Sequence, residues 1–307
     1  MTVGPGRTAA AAPGSAVEWD AVVVGGGAAG LSAAVFLARY GLETLVLARG
    51  KSAIGQCAVL ENFLGFPGGI TPQRFLALGR AQVTHEGGVV REEAVETVER
   101  VDIEEPRTED GGEAPGVGGF RVESDEGEYR TRYVLAATAY DGDMFAPFVD
   151  EIETGDEFGM AETDHGRTAI EGLYGAGWMT TETVHQALVN AGHGARAAVS
   201  LIRDDVAARY WPGVADQYVD WVVHEGRYGG DDWDEHTREW FEEDVLVDGV
   251  DPDLAETALA ELKAGYLARE VDADERRRRD REGQRRMLEQ FDDEVVRAYA
   301  EDLQDEK

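Results

Sequence analysis

The stretch Asp20-Ala-Val-Val-Val-Gly-Gly-Gly-Ala-Ala-Gly-Leu31 decides the fold of this chain. Its β-branched start is typical of a strand buried on both faces, and the Ala-rich segment Leu31–Tyr40 is typical of a helix. A second strand is predicted at Glu43–Leu47. The turn has the spacing GxGxxG, and its candidate binding residues are Gly25, Gly27, Ala28, Ala29 and Gly30. This βαβ pattern predicts a helix N terminus that binds the pyrophosphate of a dinucleotide.

The charge of the chain is strongly negative. Lys and Arg number 29 and Asp and Glu 62, so the formal net charge of the 307 residues is −33, and only Lys51, Lys263 and Lys307 are lysines. A field of this sign argues against nucleic acid and anionic membranes as partners. Because the Debye length falls to about 3 Å in molar salt, carboxylate repulsion fades there. The composition therefore predicts a protein of a high-salt cytoplasm; the alternative, an ordinary acidic protein, is expected to keep more lysines.

Cysteine content and the absence of long apolar runs predict the compartment. Cys57 is the only cysteine, so neither an intramolecular disulfide nor a CxxC pair can form. The first 18 residues hold an apolar run too short for a signal peptide, and no window approaches 18 uninterrupted apolar residues. We expect a soluble cytoplasmic protein with a flexible tail over residues 1–18. His224 and His236 lack metal-binding spacing, so no metal site is predicted.

The rest of the first domain is predicted from hydrophobic periodicity. Helices are expected over 73–86 and 184–202, strands over 88–90, 94–103 and 173–176, and a hairpin of strands over 120–123 and 129–136. Residues 104–119 read as an acidic loop and residues 141–171 as an acidic connector. These elements predict an α/β domain over residues 19–205, built on a parallel sheet with a β-meander.

Residues 206–307 are predicted to form a mostly helical, acidic extension. Four of the six tryptophans lie at its start: Trp211, Trp221, Trp233 and Trp240. We expect these rings to dock the extension on the first domain; a lid or a partner site is the alternative. Asp251-Pro252 predicts the start of one helix. A last helix is predicted to carry the apolar stripe Leu288, Phe291, Val295 and Tyr299.

Three further segments resemble the low-molecular-weight thioredoxin reductase family. They are Ile54-Gly-Gln56 with Leu60-Glu-Asn-Phe-Leu-Gly-Phe-Pro-Gly-Gly-Ile70, then Gly172-Leu-Tyr-Gly-Ala-Gly177, and His185-Gln-Ala-Leu-Val-Asn-Ala-Gly192. The resemblance covers roughly residues 19–205. It implies a Rossmann-like FAD/NAD(P)-binding domain with FAD as its cofactor.

The resemblance also implies site residues. Gln56 and Asn62 are expected along the FAD pyrophosphate and ribityl chain, Val95 beside the adenine through its backbone, and Gly177 near the ribityl phosphate. A helix is expected to point its start at the flavin pyrimidine ring, where its dipole stabilises negative charge on a reduced flavin. That start is formed by His185, Gln186 and Ala187.

The chain departs from the family pattern at several places. The CxxC is absent, which excludes disulfide reduction by the family's route. An inserted nicotinamide domain needs on the order of 100 residues, but only the 35 residues 139–173 lie between the flavin segments. Trp178 stands where the family has an Asp on the ribityl hydroxyls, so its ring either stacks beside the cofactor or fills its cavity. Arg49 replaces the usual acidic ribose ligand, and either meets a phosphate, including a 2′-phosphate, or is a surface arginine.

These features predict an FAD-dependent oxidoreductase whose electron donor is a small molecule or a protein carrier. Neither a general base nor a nucleophile is identifiable, so catalytic residues stay unassigned and the chemistry rests on the cofactor. Two alternatives are a degenerate nucleotide-binding protein with Trp178 in the flavin site, and an NADP-binding protein that uses Arg49. The resemblance makes a homodimer a candidate assembly.

Overall fold

The structure is a computed structural model. It describes residues 19–49, 52–103, 117–139, 142–148, 150–152, 160, 164–182, 184–230 and 232–305. The predicted tail over 1–18 and residues 104–116 of the predicted acidic loop lie outside these ranges.

A seven-stranded sheet forms the centre of the fold. Its strands are β1 (Trp19–Val24), β2 (Thr44–Leu47), β3 (Val89–Arg91), β4 (Val95–Ile103), β5 (Val117–Ser124), β6 (Glu128–Ala136) and β7 (Leu173–Gly175). The strand order is β3–β2–β1–β6–β5–β4, with β7 also paired to β6. β1 runs parallel to β2 and β6, with Val22 opposite Leu45 and Val134, whereas β4, β5 and β6 are antiparallel. The predicted parallel sheet with a β-meander is confirmed, although β5 begins at Val117, within the expected loop.

Eight helices are described along the chain. They are α1 (Ala28–Tyr40), α2 (Pro72–His85), α3 (Ala187–Arg209), α4 (Pro212–Ala215), α5 (Trp233–Trp240), α6 (Pro252–Ala268), α7 (Ala273–Leu288) and α8 (Asp293–Asp305). The short strands β8 (Val223–His224) and β9 (Glu270–Val271) pair in the extension. Side chains of Thr71, Asp251 and Asp272 cap α2, α6 and α7. None of the described helices combines the length and the apolarity needed to span a membrane.

Small residues bring α1 and α3 together over one face of the sheet. A Cβ on Gly30 would lie 1.9 Å from the carbonyl oxygen of Gly25, and one on Gly194 would lie 2.0 Å from that of Ala29. Both contacts are too short for any side chain, so the glycines permit α1 to lie close to the turn after β1 and to α3. As a result, the N termini of α1 and α3 reach the same edge of the sheet.

The opposite face of the sheet is covered by part of the predicted acidic connector. Residues Asp143–Phe148 form a short 3-10 turn whose side chains Met144, Phe145 and Phe148 are buried. The Phe148 ring lies 6.1 Å from that of Phe120, centroid to centroid, in an edge-on contact. The description of residues 141–171 as an acidic connector was therefore wrong here, because its apolar run packs against the sheet.

The extension docks on the α1–α3 layer. α3 ends at Arg209 and so runs through the predicted boundary after residue 205. Trp211 is buried in the shared core, and its indole N–H donates to the carbonyl of Val245 at 2.7 Å. Arg39 of α1 forms two hydrogen bonds with Asp220, at 2.7 and 2.9 Å. The docking expected of the tryptophans is confirmed for Trp211, whereas Trp221 is 51% exposed.

The prediction of a single last helix is wrong, because two helices, α7 and α8, occupy this part of the chain. α7 ends at Leu288 and α8 begins at Asp293, so Leu288 and Val295 do not share a helix. Neither helix has a buried residue, and Val295 and Tyr299 are both more than 60% exposed. Arg74 of α2 holds the junction by hydrogen bonds to the Gln290 carbonyl and the Asp292 carboxylate.

Candidate functional site

A cavity of about 950 Å³ opens at the carboxyl ends of β1, β2 and β6. Its volume lies in the upper part of the range of ligand sites, roughly 300–1,000 Å³. With the exception of Gly30, every predicted binding residue lines it: Gly25, Gly27, Ala28, Ala29, Arg49, Gln56, Asn62, Val95, Gly177, Trp178, His185, Gln186 and Ala187. Segments more than 150 residues apart in sequence thus meet at one site.

The glycine turn forms the wall nearest β1. Gly25 has φ 113°, and a Cβ there would lie 2.5 Å from the carbonyl oxygen of Ala137, so a side chain is excluded on two grounds. Gly27 is the N-cap of α1, where no side chain caps the helix and no acidic residue lies in the first turn. The N–H groups at the positive end of α1 therefore lie at the cavity without a capping side chain among the described residues.

The N terminus of α3 forms the facing wall. Its N-cap residue Gln186 makes no capping hydrogen bond with its side chain. Instead, the side-chain amide of Asn62 donates to Gln186 Oε1 at 2.9 Å, which joins two of the predicted flavin segments. One turn into α3, the buried Oδ1 of Asn190 has no hydrogen-bond partner among the described residues. Two helix N termini and an unpaired acceptor therefore converge on the cavity.

Trp178 lies on the cavity wall and packs against His185. Their ring centroids are 4.4 Å apart with an angle of 63° between the planes. The preceding residue, Gly177, has φ 66°, and its backbone N–H donates to Nδ1 of buried His193 at 3.3 Å. This contact with α3 fixes the turn that carries Trp178, and the ring leaves the cavity open.

Charged groups at the far end of the cavity are paired within the protein. Arg49 bonds to the carbonyl of Glu92 and forms ion pairs with Asp125 and Glu126. Glu93, beside it, accepts hydrogen bonds from Ser124 at 2.7 Å and Tyr129 at 2.6 Å. Desolvation acts to raise the pKa of Glu93, but these hydrogen bonds outweigh it and hold the pKa below its ordinary value. Glu93 is thus ionised and ties the β5–β6 hairpin to the end of β3.

Comparison with known proteins agrees with this geometry. A family model described as FAD binding domain matches residues 20–62. The chain is 35% identical over 101 residues to thioredoxin reductase of Aquifex aeolicus (strain VF5), which covers 32% of this chain and 31% of that protein. It is 42% identical over 55 residues to thioredoxin reductase of Treponema pallidum (strain Nichols), 18% of each chain. The matches thus span less than a third of either relative's length.

Solved structures show the fold. A thioredoxin reductase from Gloeobacter violaceus superposes with a TM-score of 0.53 at 18% identity, covering 66% of this chain and 99% of that one. The enzyme of Lactococcus lactis superposes with a TM-score of 0.50 at 15% identity, covering 61% and 99%. The fold of the described residues is thus similar to that of thioredoxin reductases, and residues 20–62 match the FAD binding domain model.

The cavity of the FAD-binding domain fits its cofactor. The uncapped N terminus of α1 suits the pyrophosphate, because it offers N–H donors and a positive dipole end. The unpaired Asn190 oxygen on the α3 side suits an N–H donor, as the flavin pyrimidine ring carries. Among the described residues of the lining, charges are also balanced in a chain of charge −33, since Arg49 and Arg80 offset Glu61 and Glu93.

Several residues of the FAD-binding domain were not found from the sequence. Glu93, Asn190, Arg80 and Met144 all line the cavity. Asn190 lies in one of the segments that resemble the family and could have been found from it, whereas Glu93 and Met144 approach the cavity only through strand pairing and the buried turn.

Among the described residues of the extension, none lines this cavity, so the cavity gives no support to the lid alternative. No group of three His, Cys, Asp or Glu side chains in the described ranges is arranged to hold a metal ion.

Proposed function

We propose that this protein is an FAD-dependent oxidoreductase that works without a dithiol–disulfide centre. The observation that carries the proposal is the meeting of two uncapped helix N termini, α1 and α3, at one open cavity, joined by the Asn62–Gln186 hydrogen bond. Bound FAD supplies electron transfer between a donor and a substrate. The chain holds the pyrophosphate at α1 and stabilises negative charge on the flavin side through the dipole of α3.

The cysteine content supports the proposal of chemistry without an internal dithiol–disulfide centre. Cys57 is exposed on the cavity wall, and the sequence contains no second cysteine with which it could form a disulfide. A dithiol relay within one chain needs two cysteines. The substrate of the FAD site is therefore reduced or oxidised without an internal disulfide.

The donor is proposed to reach the cofactor directly. In the family pattern a nicotinamide domain is inserted between the strands that correspond to β6 and β7, but here those strands are separated by residues 137–172. Within this connection, the side chains of Met144, Phe145 and Phe148 are buried in the core that includes strand residues of the sheet, which argues against a second nucleotide-binding unit there. A small molecule or a protein carrier is the donor that this architecture favours.

Two alternatives receive less support from the geometry. A degenerate scaffold requires Trp178 to fill the flavin site, but the ring packs on His185 beside an open cavity. NADP binding by Arg49 requires a free guanidinium, but Arg49 already pairs with Asp125 and Glu126. A 2′-phosphate would have to displace carboxylates from Arg49 in a strongly acidic chain.

Purification in molar KCl followed by a visible absorption spectrum tests whether the protein binds a flavin. We expect the protein to show flavin absorption bands, either as purified or after incubation with FAD and removal of the excess. A protein that stays colourless after reconstitution contradicts the proposal. Anaerobic mixing of the yellow protein with NADH and NADPH then tests the donor. We expect slow bleaching or none, and rapid bleaching by either nucleotide contradicts the inference from the short connection.

Assembly and compartment remain proposals as well. We propose a protein of a high-salt cytoplasm, on the strength of the −33 charge, and a homodimer, on the resemblance alone. Light scattering coupled to gel filtration in molar KCl measures the mass in solution. A mass equal to that of one chain rejects the dimer without bearing on the cofactor.

A further inference from the structure

A second cavity, of about 510 Å³, lies in the extension and shares no lining residue with the FAD cavity. Half of its lining is aromatic; we call it the aromatic cavity and define it by Trp221, Tyr228, Trp233, Trp240 and Tyr266. Ring centroids are 5.1 Å apart for Tyr228 and Tyr266 and 6.3 Å apart for Trp240 and Tyr266. Tyr228, Trp233, Trp240 and Tyr266 are thus in mutual ring contact, and Trp221 lines the same space, which is of small-molecule size.

The rings of the aromatic cavity already attract cations of the chain. Residues 211–272 contain 18 Asp and Glu but only four Lys and Arg. Three of these four cations lie over rings of the cavity, at 5.0 to 5.9 Å from the ring centroid: Lys263 over Trp233, Arg227 over Tyr228 and Arg269 over Tyr266. Such distances are those of cation–π attraction. The rings thus hold cations in a region rich in competing carboxylates.

Two rings of the cavity have no such partner. Among the described residues, neither Trp221 nor Trp240 has a Lys or Arg over its face, and Trp221 is 51% exposed. Among the described lining residues there is no Lys or Arg, and the one carboxylate, Asp216, lies 3.6 Å from Arg203. The surrounding excess of 14 negative charges over residues 211–272 raises the local concentration of cations.

We propose that the aromatic cavity binds an organic ammonium cation of the methylated amine class, held against Trp221 and Trp240. The positive charge meets the electron-rich ring faces, while the methyl groups bury apolar area on the same rings. A small metal cation suits this lining poorly, because Ca²⁺ and Mg²⁺ prefer several oxygen ligands and, besides the ring hydroxyls, the polar side chains of the described lining are only Asp216, Gln217, His236 and Thr237. The site is independent of the FAD cavity and of the function proposed for it.

Calorimetric titration of the full chain with choline chloride, at constant ionic strength in molar KCl, tests the proposal. The decisive comparison is the uncharged alcohol in which a carbon atom replaces the choline nitrogen, because it has the same shape without the charge. We expect choline to bind about two- to fivefold more tightly or better, the range of one exposed cation–π contact. Equal binding of the two compounds, or no binding of choline, overturns the proposal.

Two variants test whether the cation binds against Trp221. Trp221→Leu removes an exposed ring, so the fold is expected to survive, and choline binding should weaken about two- to fivefold. Val222→Ala alters the neighbouring exposed residue outside the lining and should leave binding unchanged. Circular dichroism and flavin content check that both variants are folded. Unchanged choline affinity in folded Trp221→Leu, or equal losses in the two variants, contradicts the placement.

Discussion

Substitution of Gly27 by Ala separates cofactor binding from folding. Gly27 has φ −83° and ψ −167°, which alanine adopts without strain, and the added Cβ would meet only Ser52 Oγ, at 3.2 Å. The free energy of unfolding should therefore change by less than about 1 kcal/mol. The methyl group, however, enters the cavity at the N terminus of α1, where the pyrophosphate is proposed to bind.

The size of the expected effect follows from the lost contact. One hydrogen bond between a backbone N–H and a charged phosphate contributes about 1.5–3 kcal/mol. Its loss weakens FAD binding by about 10- to 150-fold, since each 1.4 kcal/mol corresponds to about tenfold in Kd. Titration of FAD into flavin-free protein, followed by flavin fluorescence, measures this change.

Two other glycines provide controls for the same chemical change. Gly192→Ala adds a methyl group on α3 with no atom within 4 Å, so it should raise stability by about 0.5–1 kcal/mol and leave FAD affinity unchanged. Gly30→Ala puts a Cβ at 1.9 Å from the Gly25 oxygen, so it should unfold the domain or force α1 away from β1. If folded Gly27→Ala binds FAD as tightly as Gly192→Ala does, the assignment of the pyrophosphate to α1 is refuted.

Three further perturbations test separate features. Asn62→Ala removes the hydrogen bond to Gln186 and should cost about 0.5–1.5 kcal/mol of stability; an unchanged thermal unfolding temperature in FAD-loaded and FAD-free protein would contradict it. The pKa of Glu93 in the folded protein lies below its ordinary value of 4.5, so the ionised carboxylate stabilises the fold at pH values above 4.5. This stabilisation is lost as the pH falls through the folded-state pKa. Glu93→Gln should flatten the acid limb of the stability curve below about pH 4.5, and a curve parallel to that of the unaltered protein would count against this role. Raising KCl from millimolar to molar should raise the unfolding temperature, and a fall would argue against adaptation to salt.

The parts of the fold that are local in sequence could be predicted. Residues Gly25 to Gly30 follow a strand and include the start of a helix, so their pattern predicts the turn, the helix start and the dinucleotide site together. The β5–β6 hairpin is equally local, with turn residues between two alternating strands. These features depend on backbone conformation and burial that neighbouring residues largely decide.

The parts that depend on distant contacts could not be predicted. Glu93 approaches the cavity because β3 pairs with β2, and its hydrogen bonds come from Ser124 and Tyr129 across the sheet. The turn Asp143–Phe148 is buried through contacts with the sheet, such as that of Phe148 with Phe120, whereas the acidic residues around it suggested an exposed segment. At the junction between α7 and α8, Arg74, more than 200 residues away in sequence, donates hydrogen bonds to the Gln290 carbonyl and the Asp292 carboxylate.

The flavin content of the protein tests the central claim most directly. The protein is purified in molar KCl, denatured, and its released cofactor is identified and quantified against protein by chromatography with FAD and FMN standards. An amount of FAD equimolar to the chain, as purified or after incubation with FAD and removal of the excess, is the expected result. Release of no flavin after that incubation from a folded chain would contradict the account.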